Sequence, residues 1–244
     1  MIQFIFSYGQ KCVKLLKRNV KIFGDMIFRK GVHLMNTIIT LGRQLGSNGR
    51  IIGEQLAEKL GYKFYDKEII ARIAKETGLS ESIFVEMDEK PSTSMLYSLA
   101  MGVQSAKGLY YQYNDFLNGD NLFKLQMDLI KKIATEGPCV IVGRCADYIL
   151  REEKSLIKLF LYASTDERVR NLMVRDNMNE KEARSAVSKA DKRRSNYYNF
   201  YTNRTWGSVN NYNLCLDTSS LSADACVDFL LSYVKEKEKA FNTD

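Results

Sequence analysis

The sequence predicts an α/β fold: a parallel sheet with helices on both faces, three layers in all. Short apolar runs bounded by glycine or polar residues alternate along the chain with longer stretches of helical period. Strands that alternate with helices build parallel sheets buried on both faces. The first strand also runs into a glycine-bearing loop and then an amphipathic helix. That order places a ligand loop beyond the carboxyl edge of such a sheet.

The first strand is Thr37–Leu41, closed by Gly42. A helix follows from about Arg50 to Leu60, with Ile51, Ile52, Leu56, Ala57 and Leu60 recurring at helical spacing, and Gly61 is suited to end it left-handed. Tyr62–Tyr65 reads as a second strand and Lys67–Thr77 as a helix closed by Gly78. Residues 80–120, rich in Ser, Tyr, Met and Gly, give no regular pattern. A helix at Leu122–Thr135 precedes the strand Cys139–Val142, and Ala146–Arg151 is helical before the strand Leu156–Tyr162. Two charged helices come next, Thr165–Met178 and Asn179–Tyr201, the second opening with Asn179 and Glu182 at capping-box spacing. A last strand, Tyr212–Leu216, leads into the helix Ala223–Lys239.

Composition narrows the function classes. The formal net charge is +7, but residues 1–34 carry seven basic side chains against the single acid Asp25. The remainder is nearly neutral, so the body has no nucleic-acid footprint. Residues 1–34 are expected to be a loosely ordered basic leader ahead of a domain spanning 35–244, the alternative being an amphipathic helix that touches a membrane surface. Five cysteines (Cys12, Cys139, Cys145, Cys215 and Cys226) form no CxxC pair or metal-ligand spacing, which points to a reducing, cytoplasmic setting without disulfides or a bound metal. His33 is the only histidine. A histidine triad, base or metal site in the body is thereby excluded.

The loop after the first strand reads GRQLGSNGRIIG from Gly42 to Gly53. Gly42, Gly46, Ser47, Asn48, Gly49 and Arg50 are its candidate phosphate contacts, with backbone N–H groups converging ahead of a helix N-terminus. The alternative is an ordinary glycine turn. The loop lacks G-x-G-x-x-G, which argues against a dinucleotide. It also departs from G-x-x-x-x-G-K-[ST]: the spacing from Gly42 to Gly49 is longer, Arg50 replaces the lysine and Ile51 the metal-binding hydroxyl.

With this loop the chain resembles the cytidylate kinase-like family, a branch of the P-loop nucleoside monophosphate kinases. The matching stretches are Ile38–Gly53, Phe64–Ile70, Val140–Leu150, Asp191–Tyr201 and Trp206–Ser219, within about residues 37–235. The resemblance implies a P-loop kinase type of sheet with a helical lid, small-molecule nucleotides as partners, and ATP as donor with Mg2+ carried by the nucleotide. CMP or dCMP is the implied acceptor. Gly143-Arg144 is similar to the Gly-Arg that holds the acceptor phosphate, although Arg144 could instead cap a strand end or pair with Asp147. Asp66 lies where the acceptor pocket begins and either accepts from a base or ribose or caps the following helix. Lys189, Asp191 and Arg194 resemble the lid pattern R-x-[DE]-x-x-R, with lysine for the first arginine. Arg50, Arg194 and Asp191 are the implied catalytic residues. Asp66, Gln126, Arg144 and Lys189 are the implied acceptor contacts. A non-catalytic nucleotide-binding or sensor protein on the same fold is the competing expectation, because Ile51 supplies no hydroxyl.

Overall fold

A computed structural model describes residues 36–77, 119–241 and 243. Five strands, β1 (Ile38–Arg43), β2 (Lys63–Tyr65), β3 (Cys139–Val142), β4 (Leu156–Tyr162) and β5 (Leu214–Asp217), form one sheet in the order β2-β3-β1-β4-β5. Every pairing is parallel. The helices are α1 (Gly49–Leu60), α2 (Glu68–Thr77), α3 (Gly119–Thr135), the short α4 (Ala146–Ile149), α5 (Thr165–Asp176), α6 (Glu180–Thr202) and α7 (Ala223–Phe241).

Alternation along the strands feeds two buried layers. Ile38, Cys139, Ile141 and Leu156 pack with α2, α3 and the α6 tyrosines Tyr197 and Tyr198. Ile39, Leu41, Val140, Val142, Ile157 and Leu159 pack on the other face with α1 and α7, through Leu56, Val227 and Leu230. A smaller cluster, Val169, Leu172, Ala183 and Val187, joins α5 to α6 and touches Leu45 of the glycine loop.

Element boundaries shift where neighbours decide them. β1 runs two residues beyond its sequence expectation because Gly42 and Arg43 pair with Phe160 and Leu161 of β4. α5 stops at Asp176 rather than Met178 because Asn177 turns left-handed. α4 closes at Ile149, and β5 starts at Leu214, after a 3-10 turn at Val209–Asn211. Asn179 and Glu182 do form the reciprocal capping box of α6. The leader, Gly78 and the irregular stretch from residue 80 to 118 lie outside the described residues. Among the described residues no helix is long and apolar enough to cross a membrane.

Candidate functional site

The carboxyl ends of β1, β2 and β3 open onto a cavity of about 390 Å³. Its floor is the glycine loop, where Gly46, Asn48, Gly49, Arg50 and Ile51 line the wall. Gly46 has φ +82°, and a Cβ there would meet the backbone oxygen of Arg168 at 2.5 Å. Both the dihedral and the contact restrict this position to glycine. Asn48 is left-handed as well, with φ 57°, and directly precedes α1. The first N–H groups of α1 have no partner within the helix and lie beside the cavity. They and the helix dipole favour an anion there.

The cavity is strongly basic. Arg43 comes from the end of β1, Arg50 from the first turn of α1, Lys67 from beyond β2 and Arg144 from beyond β3. Arg175, Arg193 and Arg194 reach in from α5 and α6. Among the described residues Asp66 is the one acid lining the same space. Its carboxylate is 3.0 Å from Arg50 Nε and 3.5 Å from Arg43 Nη2. Both oxygens are thus taken by arginines rather than by the first turn of α2. Helix-capping in that turn comes from Glu68, whose carboxylate accepts from the Asp66 amide at 2.9 Å. Burial pushes the Glu68 carboxyl up, but these amide bonds and the charges of Arg50 and Arg144 outweigh it and leave it below its ordinary value.

Arg144 is buried and sits within three successive left-handed residues: Gly143 (φ 73°), Arg144 (φ 55°) and Cys145 (φ 56°). Left-handed backbone costs a non-glycine residue about 1–2 kcal/mol, and such strain concentrates at ligand sites. A Cβ on Gly143 would collide with the Arg43 guanidinium. Asp147, the alternative partner for Arg144, instead accepts the Tyr198 hydroxyl at 2.7 Å.

Several expected contacts fall elsewhere. Gly42 lies inside β1 against the Phe160 ring and does not line the cavity. Ser47 is fully buried, and its hydroxyl donates to Gln44 O at 2.9 Å, turned away from any ligand. Asp191 is held by both terminal nitrogens of Arg168, at 2.8 and 2.7 Å, and is not in the cavity wall. Gln126 is buried and accepts from the Tyr197 hydroxyl at 3.2 Å, also outside the cavity lining. Lys189 is exposed, one turn before Arg193, and does not line the cavity. Arg50, Arg144 and Arg194 do meet there. Arg43, Lys67, Arg175 and Arg193 join them without having been singled out as site residues. Helical spacing was the available signal for Arg193: Val187, Ala190, Arg194, Tyr197 and Tyr198 face inward, and Arg193 lies beside that stripe.

Tyr197, Tyr198 and Trp206 line a small second cavity together with Arg144 and Arg194. Tyr201 stacks on Phe123 at 4.0 Å between ring centroids, and Trp206 meets Phe160 edge-on at 5.4 Å.

The comparison with protein families decides which family this loop, sheet and cation ring belong to. The family described as cytidylate kinase-like matches residues 38–220. The chain belongs to the cytidylate kinase-like family. Its five parallel strands with flanking helices form a sheet that is not closed. The solved structure of an uncharacterized protein from Eubacterium ventriosum ATCC 27560 is 26% identical, with 81% of this chain and 98% of that one covered and a TM-score of 0.61. A shikimate kinase from Bacteroides thetaiotaomicron is 14% identical over 82% of this chain and 98% of its own, at a TM-score of 0.49. A gluconokinase from Sinorhizobium meliloti 1021 is 14% identical over 84% and 95%, at 0.47. No curated protein matches the sequence.

Among the described residues this cytidylate kinase-like chain does not offer the donor set that fixes a magnesium ion. Ile51 stands at the hydroxyl position, Ser47 is buried and does not line the cavity, and both Asp66 oxygens face arginines. Among the described residues no cluster of three His, Cys, Asp or Glu side chains is placed to hold a metal.

Proposed function

We propose that the chain is an ATP-dependent nucleoside monophosphate kinase of the cytoplasm, with CMP or dCMP as acceptor. The observation that carries the reading is the basic cavity at the glycine loop, where four cations from the strand ends and α1 face three from the lid helices. In this reading the amides of Gly46, Asn48 and Gly49 and the Arg50 side chain hold the donor phosphates. Arg144 holds the acceptor phosphate through its planar fork, which suits bidentate contact with phosphate oxygens. An acceptor oxygen attacks the γ-phosphorus, the bond from that phosphorus to the β–γ bridging oxygen breaks, and ADP leaves. Charge spreads over the transferred group, and Arg194 with its neighbours on α6 stabilises it.

The chemistry of the lining favours a phosphate acceptor over an alcohol. A phosphate oxygen is already anionic and needs no base. An alcohol needs one, and the carboxylate in the wall, Asp66, is engaged by Arg43 and Arg50. The second reading, a nucleotide-binding protein without turnover, is favoured by one feature, Ile51 in place of the hydroxyl. A coupled assay of ADP release from ATP with a panel of monophosphates separates them. The kinase reading expects slow turnover, below the ~1–100 per second common in kinases, fastest with CMP or dCMP. Nucleotide binding without ADP release from any monophosphate would establish the non-catalytic reading.

A further inference from the structure

Five successive carbonyls of the glycine loop are each held by a side chain. Arg43 O accepts from Arg194 Nη1 at 3.0 Å, and Gln44 O from Ser47 Oγ at 2.9 Å. Leu45 O accepts from Arg168 Nε at 2.7 Å, Gly46 O from Asn171 Nδ2 at 2.8 Å, and Ser47 O from Thr218 Oγ1 at 3.0 Å. In a trans peptide the N–H points opposite to the C=O of the same plane. Fixing Leu45 O therefore fixes the Gly46 N–H, and fixing Gly46 O fixes the next plane, whose Ser47 N–H donates to Gln44 O at 3.4 Å. Two of these five bonds come from α5, from residues three apart on one face.

Arg168 is the centre of this clamp. It is only 3% exposed, its backbone packs against Gly46, and its fork is satisfied by Asp191 of α6 while Nε reaches the loop. The geometry ties three elements at one side chain: the loop, α5 and α6. Arg194, one turn beyond Asp191 on α6, reaches the same loop at Arg43 O. The loop lacks the lysine that would organise it around phosphate, and its helix cap Asn48 makes no side-chain cap bond.

We propose that Arg168 and Asn171 are positioning residues that pin the two peptide planes flanking Gly46 and so hold its amide in an anion-binding orientation, so that α5 does the organising that the loop's own residues do not. The effect on anion binding rests on the function proposed above, whereas the effect on loop order does not. Arg168 touches no ligand. It acts through the peptide planes, and Asp191 acts through Arg168.

The test uses the full chain labelled with 15N-glycine, as wild type, Arg168→Lys and Asn171→Ala. Lysine keeps the charge beside Asp191 but cannot serve both the fork and Leu45 O. Backbone order at Gly46 is read by 15N relaxation without ligand, and affinity is read by calorimetry with inorganic tripolyphosphate. The wild-type Gly46 amide is expected to be rigid, with an order parameter near ~0.85, falling toward ~0.6 in both variants. Tripolyphosphate affinity is expected to drop about ten- to a hundredfold, the loss typical when an outer partner that orients a ligand group is removed. Glycines remote from the loop, such as Gly61, should keep their signals. An unchanged Gly46 amide in both variants overturns the proposal. If Arg168→Lys fails to fold, Asn171→Ala decides by the same readouts. Wild-type protein that ignores tripolyphosphate removes the anion-binding reading, and Gly46 order still decides the clamp.

Discussion

Arg144 shows how a single residue reports a site. A buried arginine in left-handed backbone is held there against the cost of its dihedral. Arg144→Gly relieves the dihedral and should leave Tm unchanged or higher, while monophosphate affinity falls by ~1.5–3 kcal/mol, the range for hydrogen bonds to a charged group. Calorimetry with CMP alongside a melting curve checks both, and a collapse of Tm would show Arg144 to be structural. Arg50 is the complementary case, half exposed and 3.0 Å from Asp66. Arg50→Ala should lower turnover by about 10²–10³, as removal of a single transition-state donor does, and undiminished ADP release would end its assigned role. At this scale the places of Gly46, Gly49 and Arg144 in the cavity wall were legible because each follows a strand. Arg43 was not, since its place in the cavity depends on pairing with Leu161, more than a hundred positions away. Asp191 misled for a related reason. Its lid-like spacing is visible in the sequence, but its partner Arg168 lies on another helix.

Among the elements, α6 brings Arg193 and Arg194 to the cavity and is hydrogen-bonded to α4 through the buried pair Tyr198 and Asp147. Burial pushes the Asp147 carboxyl above its ordinary value of 3.8, with the Tyr198 hydroxyl acting in the opposite direction. The folded chain thus takes up this proton more readily than the unfolded one. Its contribution to stability is full below the unfolded value and is lost as pH rises through the folded one. Asp147→Asn keeps an oxygen for Tyr198 and removes the charge. It should therefore raise Tm at about pH 7 and give no gain at about pH 3.5, with each kcal/mol worth roughly 2–4 °C in a chain of this size. An equal gain at both pH values would contradict the burial argument. Helix and strand identities in this region were readable from periodicity and from the capping box at Asn179. Their ends were less so, because the left-handed turn at Asn177 and the extra β1–β4 pairs arise from tertiary neighbours.

For the molecule as a whole, the fold follows from alternation that repeats in every strand and gives each sheet face its own apolar layer. Residues 36–244 form a compact unit of their own, and most of the net charge of +7 lies before Met35. A chain beginning at Met35 is expected to fold and to melt within a few degrees of the full one, and loss of soluble protein on that truncation would refute the division. The central claim, two nucleotide subsites in one arginine-lined cavity, is tested most directly by Tm with ATP alone, CMP alone and both together. A ligand at a hundred times its Kd stabilises by ~2.7 kcal/mol, or about 5–10 °C here. The account predicts a rise with each nucleotide and a larger one with both, since donor and acceptor occupy separate subsites. No rise with either, or a combined rise no greater than that of one alone, would contradict it.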